Sequence, residues 1–122
     1  MKGKIKLMRV YEMDEDLKGE RYLVDKVWPR GVAKKKLEPF YWAKEITPST
    51  ELRKWFDHKE ERFDEFKKKY LKELDSNPAK DDFLDKVKDV LEKDDLILLY
   101  GAKDEKINHV VILKDWIEEN IG

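Results

Sequence analysis

Residues 96–100, Leu-Ile-Leu-Leu-Tyr, form an uninterrupted apolar run between Asp94-Asp95 and Gly101. Five residues are too few for a helix with one buried stripe and far short of the ~20 that cross a bilayer. A strand fits, and a strand apolar at every position must be covered on both faces. Chain therefore has to pack on either side of the sheet, the arrangement of α/β proteins.

The N-terminal third supplies further strands. Residues 4–10 alternate, with Ile5, Leu7 and Arg9 on one face, and residues 21–27 are apolar on both faces. Trp28-Pro29-Arg30-Gly31 breaks that pattern, and residues 40–46 read as a third strand. The second half is helical. Thr47 is placed to cap a helix with Pro48 in its first position and Leu52, Trp55 and Phe56 on one face. Phe63, Phe66, Tyr70, Leu71 and Leu74 mark the next helix, which Asn77-Pro78 ends. A third carries Phe83, Leu84, Val87, Val90 and Leu91, and residues 105–121 form a last one. For that last segment the β-branched run Val110-Val111-Ile112 makes a strand the competing reading. The order implies a three-layer α/β sandwich, with a small, mostly parallel sheet flanked by helices. About ten residues join the first two strands, short for a parallel crossover, so a mixed sheet is left open.

The 122 residues fit one domain spanning 1–122. With 27 basic and 28 acidic residues, the bulk attraction expected of a dedicated nucleic-acid binder is absent. No Cys is present, which excludes disulfides, zinc-thiolate sites and a thiol nucleophile. No segment reads as a membrane span, and the N-terminus lacks the apolar stretch of a secretory signal, so a cytoplasmic location is expected.

Three stretches carry a resemblance: LVDKVWPRG at 23–31, WAKEITPSTELRKWFDH at 42–58 and LLYGAKDEKINHVVIL at 98–113, with the helix FDEFKKKYLKEL between the last two. In this order they are similar to the YeaO-like family of uncharacterised proteins, also catalogued as the domain of unknown function DUF488. Lys26 stands where the family pattern usually has Arg, and Gly101 where it usually has Ala. The resemblance implies the fold and the residues the family tends to share. It implies no activity, because none is established for the family.

Three constellations could carry chemistry. The loop at 101–104 follows the buried strand, where open α/β sheets bind ligands, and runs into a helix start that favours anions. Lys103, Asp104, Asn108 and His109 would line this edge; the alternative is that Asp104 is a cap and Lys103 is solvated. The second is Asp25 with the 28–31 turn. An ionised carboxylate on a covered face needs a partner, and Arg9 is the natural one, as a structural pair or as the lining of a cleft. Arg30, in the Pro-Arg-Gly turn, is either a ligand residue or a surface residue packed on Trp28. The third is Ser49, Thr50, Arg53 and His58 around the first long helix, with an anion beside Arg53 or simple capping as the two readings. His58 at the helix end favours the helix dipole.

No spacing supports a metal site, no glycine-rich phosphate loop occurs, and no cofactor is implied. Two functions remain. One is a small-ligand protein or enzyme holding an anion, phosphate- or nucleotide-containing among the options, through Arg9, Arg30, Arg53, Lys103 and Asn108. It leaves Asp25 or Asp104 for acid–base work. The other is a regulatory module touching nucleic acid or a partner protein through Lys34-Lys35-Lys36 and Lys67-Lys68-Lys69, although each run lies near acidic residues and reads as a solvated face.

Overall fold

In the computed structural model, which describes residues 2–14 and 16–121, the apolar run becomes strand β4 (Leu96–Tyr100). It lies between β1 (Ile5–Arg9) and β2 (Glu20–Leu23), and β3 (Tyr41–Trp42) pairs with the outer side of β2. All pairings are parallel, with Ile5 and Glu20 both opposite Leu96 and Tyr22 opposite Tyr41. The question of a mixed sheet is thereby answered. Among the described residues between 10 and 19, the crossing over β4 holds no full helix, only a 3-10 turn at Val10–Glu12. Gly19 ends the crossing at φ +126, where a side chain would press on Asp95 and Ile97, and the Glu20 N–H then donates to the Asp95 carbonyl at 2.9 Å.

Side-chain alternation along β4 assigns the two covering layers. Leu96, Leu98 and Tyr100 pack into a core built by α2 (Thr50–Phe56), α3 (Phe63–Asp75), α4 (Lys80–Leu91) and α5 (His109–Ile121). Phe56 stacks on Phe66 at 4.2 Å between ring centroids, and the Tyr70 hydroxyl donates to the Ile46 carbonyl at 2.7 Å. Ile97 and Leu99 face the opposite layer with Val10, Met13, Leu23, Val32 and Leu37. That layer is thin: loops plus the single helical turn α1 (Lys34–Leu37). Buried Arg21 ties it together by donating to the carbonyls of Leu17, Leu37 and Glu38.

Several boundaries differ from expectation for local reasons. The second strand leaves the ladder after residue 23, and the third is two residues long because Lys44–Ile46 curl into a 3-10 turn. Ser49, not Thr47, caps α2, accepting from the Leu52 N–H, so Pro48 lies outside the helix. The last helix starts at His109 rather than residue 105, because Asn108 Oδ1 accepts from the Val110 N–H at 2.8 Å. Helix prevails over the β-branched run there because Val110, Leu113, Trp116 and Ile117 then share one buried face. No helix among the described residues is long and apolar enough to cross a membrane.

Candidate functional site

Four parallel strands end on the same side, and the chain leaving β1, β2 and β4 there encloses a cavity of about 300 Å³. Tyr11 follows β1; Asp25, Lys26 and Val27 follow β2; Gly101 and Ala102 follow β4. Arg53, Phe56 and His58 enter from α2 and the turn after it, Phe66 from α3, and Asn108 and His109 from the start of α5. This is the carboxyl edge at which open α/β sheets place their ligands.

Asp25 is at the centre. Its Oδ2 accepts the Gly101 N–H at 2.8 Å, and its Oδ1 lies 3.7 Å from His109 Nε2. The expected Arg9–Asp25 pair does not form, because β4 lies between β1 and β2 and its continuation, Gly101, reaches the carboxylate first. Arg9 instead donates from Nε to the Ala102 carbonyl at 3.0 Å, stacks over Tyr11 at 4.7 Å, and approaches Glu12 at 3.7 Å. It braces the loop behind the cavity and is not among the lining residues.

His109 Nε2 lies 2.6 Å from the Val24 carbonyl. A carbonyl only accepts, so Nε2 carries the proton, and Nδ1 is left as an acceptor. Burial pushes the Asp25 carboxyl above its ordinary range, opposed mainly by His109 and by the Gly101 N–H. Burial likewise pushes the His109 imidazole down, opposed by Asp25 and by the Val24 carbonyl. Burial thus disfavours the charged form of both members of the pair.

Positive charge comes from α2. Arg53 has no ion-pair partner among the described residues, though its charge is felt by both Asp25 and His109. His58 is brought to the wall by two consecutive left-handed residues, Asp57 at φ 49 and His58 at φ 53. Such backbone is costly for non-glycine residues and concentrates at functional sites. Lys26 also lines the cavity, with its Nζ 3.3 Å from the Pro48 carbonyl.

The other expected site residues are placed elsewhere or used internally. Asp104 is exposed, and its Oδ1 closes a turn by accepting from Lys106 and Ile107 N–H groups, which hold its carboxyl below the ordinary range. It caps a turn, not the helix, and is not among the residues that line the cavity. Lys103 is exposed and absent from the lining. Asn108 lines the cavity, but its amide is engaged: Oδ1 caps α5 and Nδ2 donates to the Asp104 carbonyl. Arg30 is exposed, and only its backbone carbonyl meets the site, accepting from the Tyr11 hydroxyl at 2.7 Å. The start of α2 does hold an anion, but it is the protein's own: Glu73 accepts from the Ser49 N–H at 2.9 Å and from the Ser49 hydroxyl at 2.6 Å. Of the eleven residues named in the three constellations, the fold brings Asp25, Arg53, His58, Asn108 and His109 to one cavity. Tyr11 and Val27 were not singled out: Tyr11 opens an acidic stretch, and Val27 read as part of the second strand, though it is 61% exposed.

Comparison with known proteins places this geometry. The family model described as "Inactive DUF488-N3 subclade" matches residues 4–122. The chain belongs to that family. It is 42% identical over 113 residues to the uncharacterized protein YeaO of Escherichia coli (strain K12), covering 93% of this chain and 96% of that one. An uncharacterized protein of Mycobacterium tuberculosis is 42% identical over 76 residues, 62% of this chain and 64% of the relative. No solved structure matches. The family-like segments 23–31, 42–58 and 98–113, with the helix between the last two, supply the cavity's lining residues other than Tyr11. At position 101 an added Cβ would lie 3.0 Å from Asp25 Oδ2, so glycine there lets the carboxylate sit close against the backbone.

Proposed function

We propose that this protein binds a small anionic ligand in the cavity at the carboxyl edge of its sheet. The observation that carries the reading is Arg53, a guanidinium without an ion-pair partner among the described residues, set on a cavity that also holds Lys26 and His58. Two permanent cations there oppose one carboxylate, so the cavity favours negative charge. Arg53 presents the planar fork that suits carboxylate or phosphate, whereas Lys26 offers a point charge already turned toward a carbonyl.

The family's description as inactive favours binding without turnover. An enzymatic second reading rests on Asp25 and His109, whose burial drives their proton affinities toward each other. Single-turnover assays with any ligand found would decide it: chemical conversion of the ligand, lost in His109→Gln, would favour the enzyme. The regulatory nucleic-acid or partner-protein reading is less well supported, because the run at 34–36 and the run at 67–69 pack on opposite faces of the sheet and form no shared track.

A thermal-shift screen of phosphates, sugar phosphates, nucleotides, carboxylates and short nucleic acids tests the proposal on wild type, Arg53→Gln and Arg30→Ala. One small anionic class should stabilise wild type and Arg30→Ala and fail with Arg53→Gln. No anion-induced shift, or one indifferent to Arg53, overturns it.

A further inference from the structure

Most polar groups around the cavity are already used by the protein. The Tyr11 hydroxyl donates to the Arg30 carbonyl, and the Asn108 amide is bonded at both ends. Lys26 is turned to the Pro48 carbonyl and His109 Nε2 to the Val24 carbonyl. One acceptor is left over. Asp25 Oδ2 takes the Gly101 N–H, but Oδ1 has no hydrogen bond among the described residues, since His109 Nε2 stands 3.7 Å away. Oδ1 is not sealed from solvent either, because no fully buried side-chain polar atom among the described residues lacks a partner. Asp25 lines the cavity with a side chain only 18% exposed. A carboxylate oxygen in such a recess, served by water alone, calls for a donor from whatever fills it.

That acceptor limits what an anion held by Arg53 can be. The two residues line one cavity of about 300 Å³, and Arg53 is close enough for its charge to act on Asp25. A bare anion reaching both would set its own charge against an unpaired carboxylate oxygen, in a recess where such repulsion is poorly screened. A donor on the ligand removes that penalty. The anionic end stays on Arg53 while the donor meets Oδ1 in a charge-assisted hydrogen bond. A neutral donor fits the site better than a charged one. Lys26, Arg53, His58 and His109 already surround the single carboxylate, so an ammonium would add like charge, whereas a hydroxyl adds none. The volume lies at the low end of the ~300–1,000 Å³ of small-molecule sites, which suits a short molecule carrying both groups.

We infer that the ligand is a small hydroxylated acid, whose anionic group meets Arg53 and whose alcohol donates to Asp25 Oδ1. A hydroxycarboxylate and a polyol phosphate share this chemistry. The inference rests on the anion-binding reading above and sharpens it.

Calorimetry on the intact protein tests this with matched pairs that differ in their hydroxyls: lactate against propionate, and glycerol 1-phosphate against propyl phosphate. Inorganic phosphate serves as the bare anion. In at least one pair the hydroxylated member should bind about tenfold or more tightly, the worth of a hydrogen bond to a charged acceptor. Which pair responds separates carboxylate from phosphate. Asp25→Asn should cut the preference to less than about threefold, while the acid without a hydroxyl binds at least as well because the repelling charge is gone. Arg53→Gln should weaken both members. Equal binding within both pairs overturns the inference, as does inorganic phosphate that binds more tightly than all four acids; anion binding itself stands in either case if Arg53 is still required. A hydroxyl preference unchanged in Asp25→Asn also overturns it. If no anion binds with dependence on Arg53, both readings fall. Should Asp25→Asn not fold, the wild-type comparison within the pairs decides alone.

Discussion

The two ends of the sheet each carry an aspartate that meets backbone, and the two behave oppositely. At the amino edge Asp95 is half-buried, accepts the Lys4 N–H at 2.8 Å and pairs with Lys6 at 3.0 Å, and these partners hold its carboxyl below the ordinary range. At the carboxyl edge Asp25 has one backbone donor and lies 3.7 Å from the His109 imidazole, and burial raises it. Gly3 packs so tightly at the amino edge that a Cβ would fall 1.7 Å from the Asp94 carbonyl oxygen, whereas the carboxyl edge leaves a cavity. The comparison separates polar groups that complete the fold from polar groups left incomplete by it. Incomplete groups are where a ligand adds stability rather than displacing something already bonded.

The strongest perturbation should leave the distinction intact. Leu98, fully buried midway along β4, is opposite Leu7 and Tyr22, so Leu98→Ala should cost about 2–5 kcal/mol. Chemical denaturation would read that loss, and ligand affinity of the folded fraction should hardly change. Arg53→Gln should do the reverse. Its binding loss should be tenfold or more, ~1.4 kcal/mol, with unfolding midpoint shifted by less than the equivalent of about 0.5 kcal/mol because the residue is exposed. A large stability loss in that variant would place Arg53 with the structural groups and collapse the contrast.

Smaller effects distinguish the two aspartates by pH. Asp25 has a folded-state affinity for protons above its unfolded one, so its charge opposes folding once pH exceeds the ordinary carboxylate range. Asp25→Asn should therefore raise stability at neutral pH, on the order of 1 kcal/mol for removing a buried charge, with the gain shrinking as pH falls through that range. Asp95 is depressed, so its contribution is present above the unfolded value and lost as pH falls below it. Asp95→Asn should lower stability slightly at neutral pH and not at strongly acid pH. Urea midpoints of both variants between acid and neutral pH would measure the opposite signs; matching signs would break the comparison.

How much of this could be read in advance differs by element. The run at 96–100 required a strand covered on both faces, and the helical stripes from Leu52 to Leu91 required amphipathic helices, because burial periodicity is a local property of the chain. Asp25 was recognisable as an acid on a covered face of the second strand, which in the fold ends at Leu23, and Arg53 as a cation on a helix. Their meeting was not, since residues 25, 53 and 109 are far apart in sequence and share no local pattern. The Arg9–Asp25 expectation failed for the same reason: alternation tells which face a side chain takes, not which strand lies between two strands. Arg30, Lys103 and Asp104 looked like site residues because they sit on loops, yet loop position does not reveal direction, and all three are exposed and outside the cavity lining.

The sequence by itself determined the layered α/β class, the central strand and the approximate helices, because those follow from where apolar groups recur along the chain. Tertiary structure decided the strand order, the pairing of Asp25 with Gly101 and His109, and the cavity that leaves Arg53 without a partner. Those depend on which distant segments are brought to one edge, and the non-local packing that brings them there has no local signature.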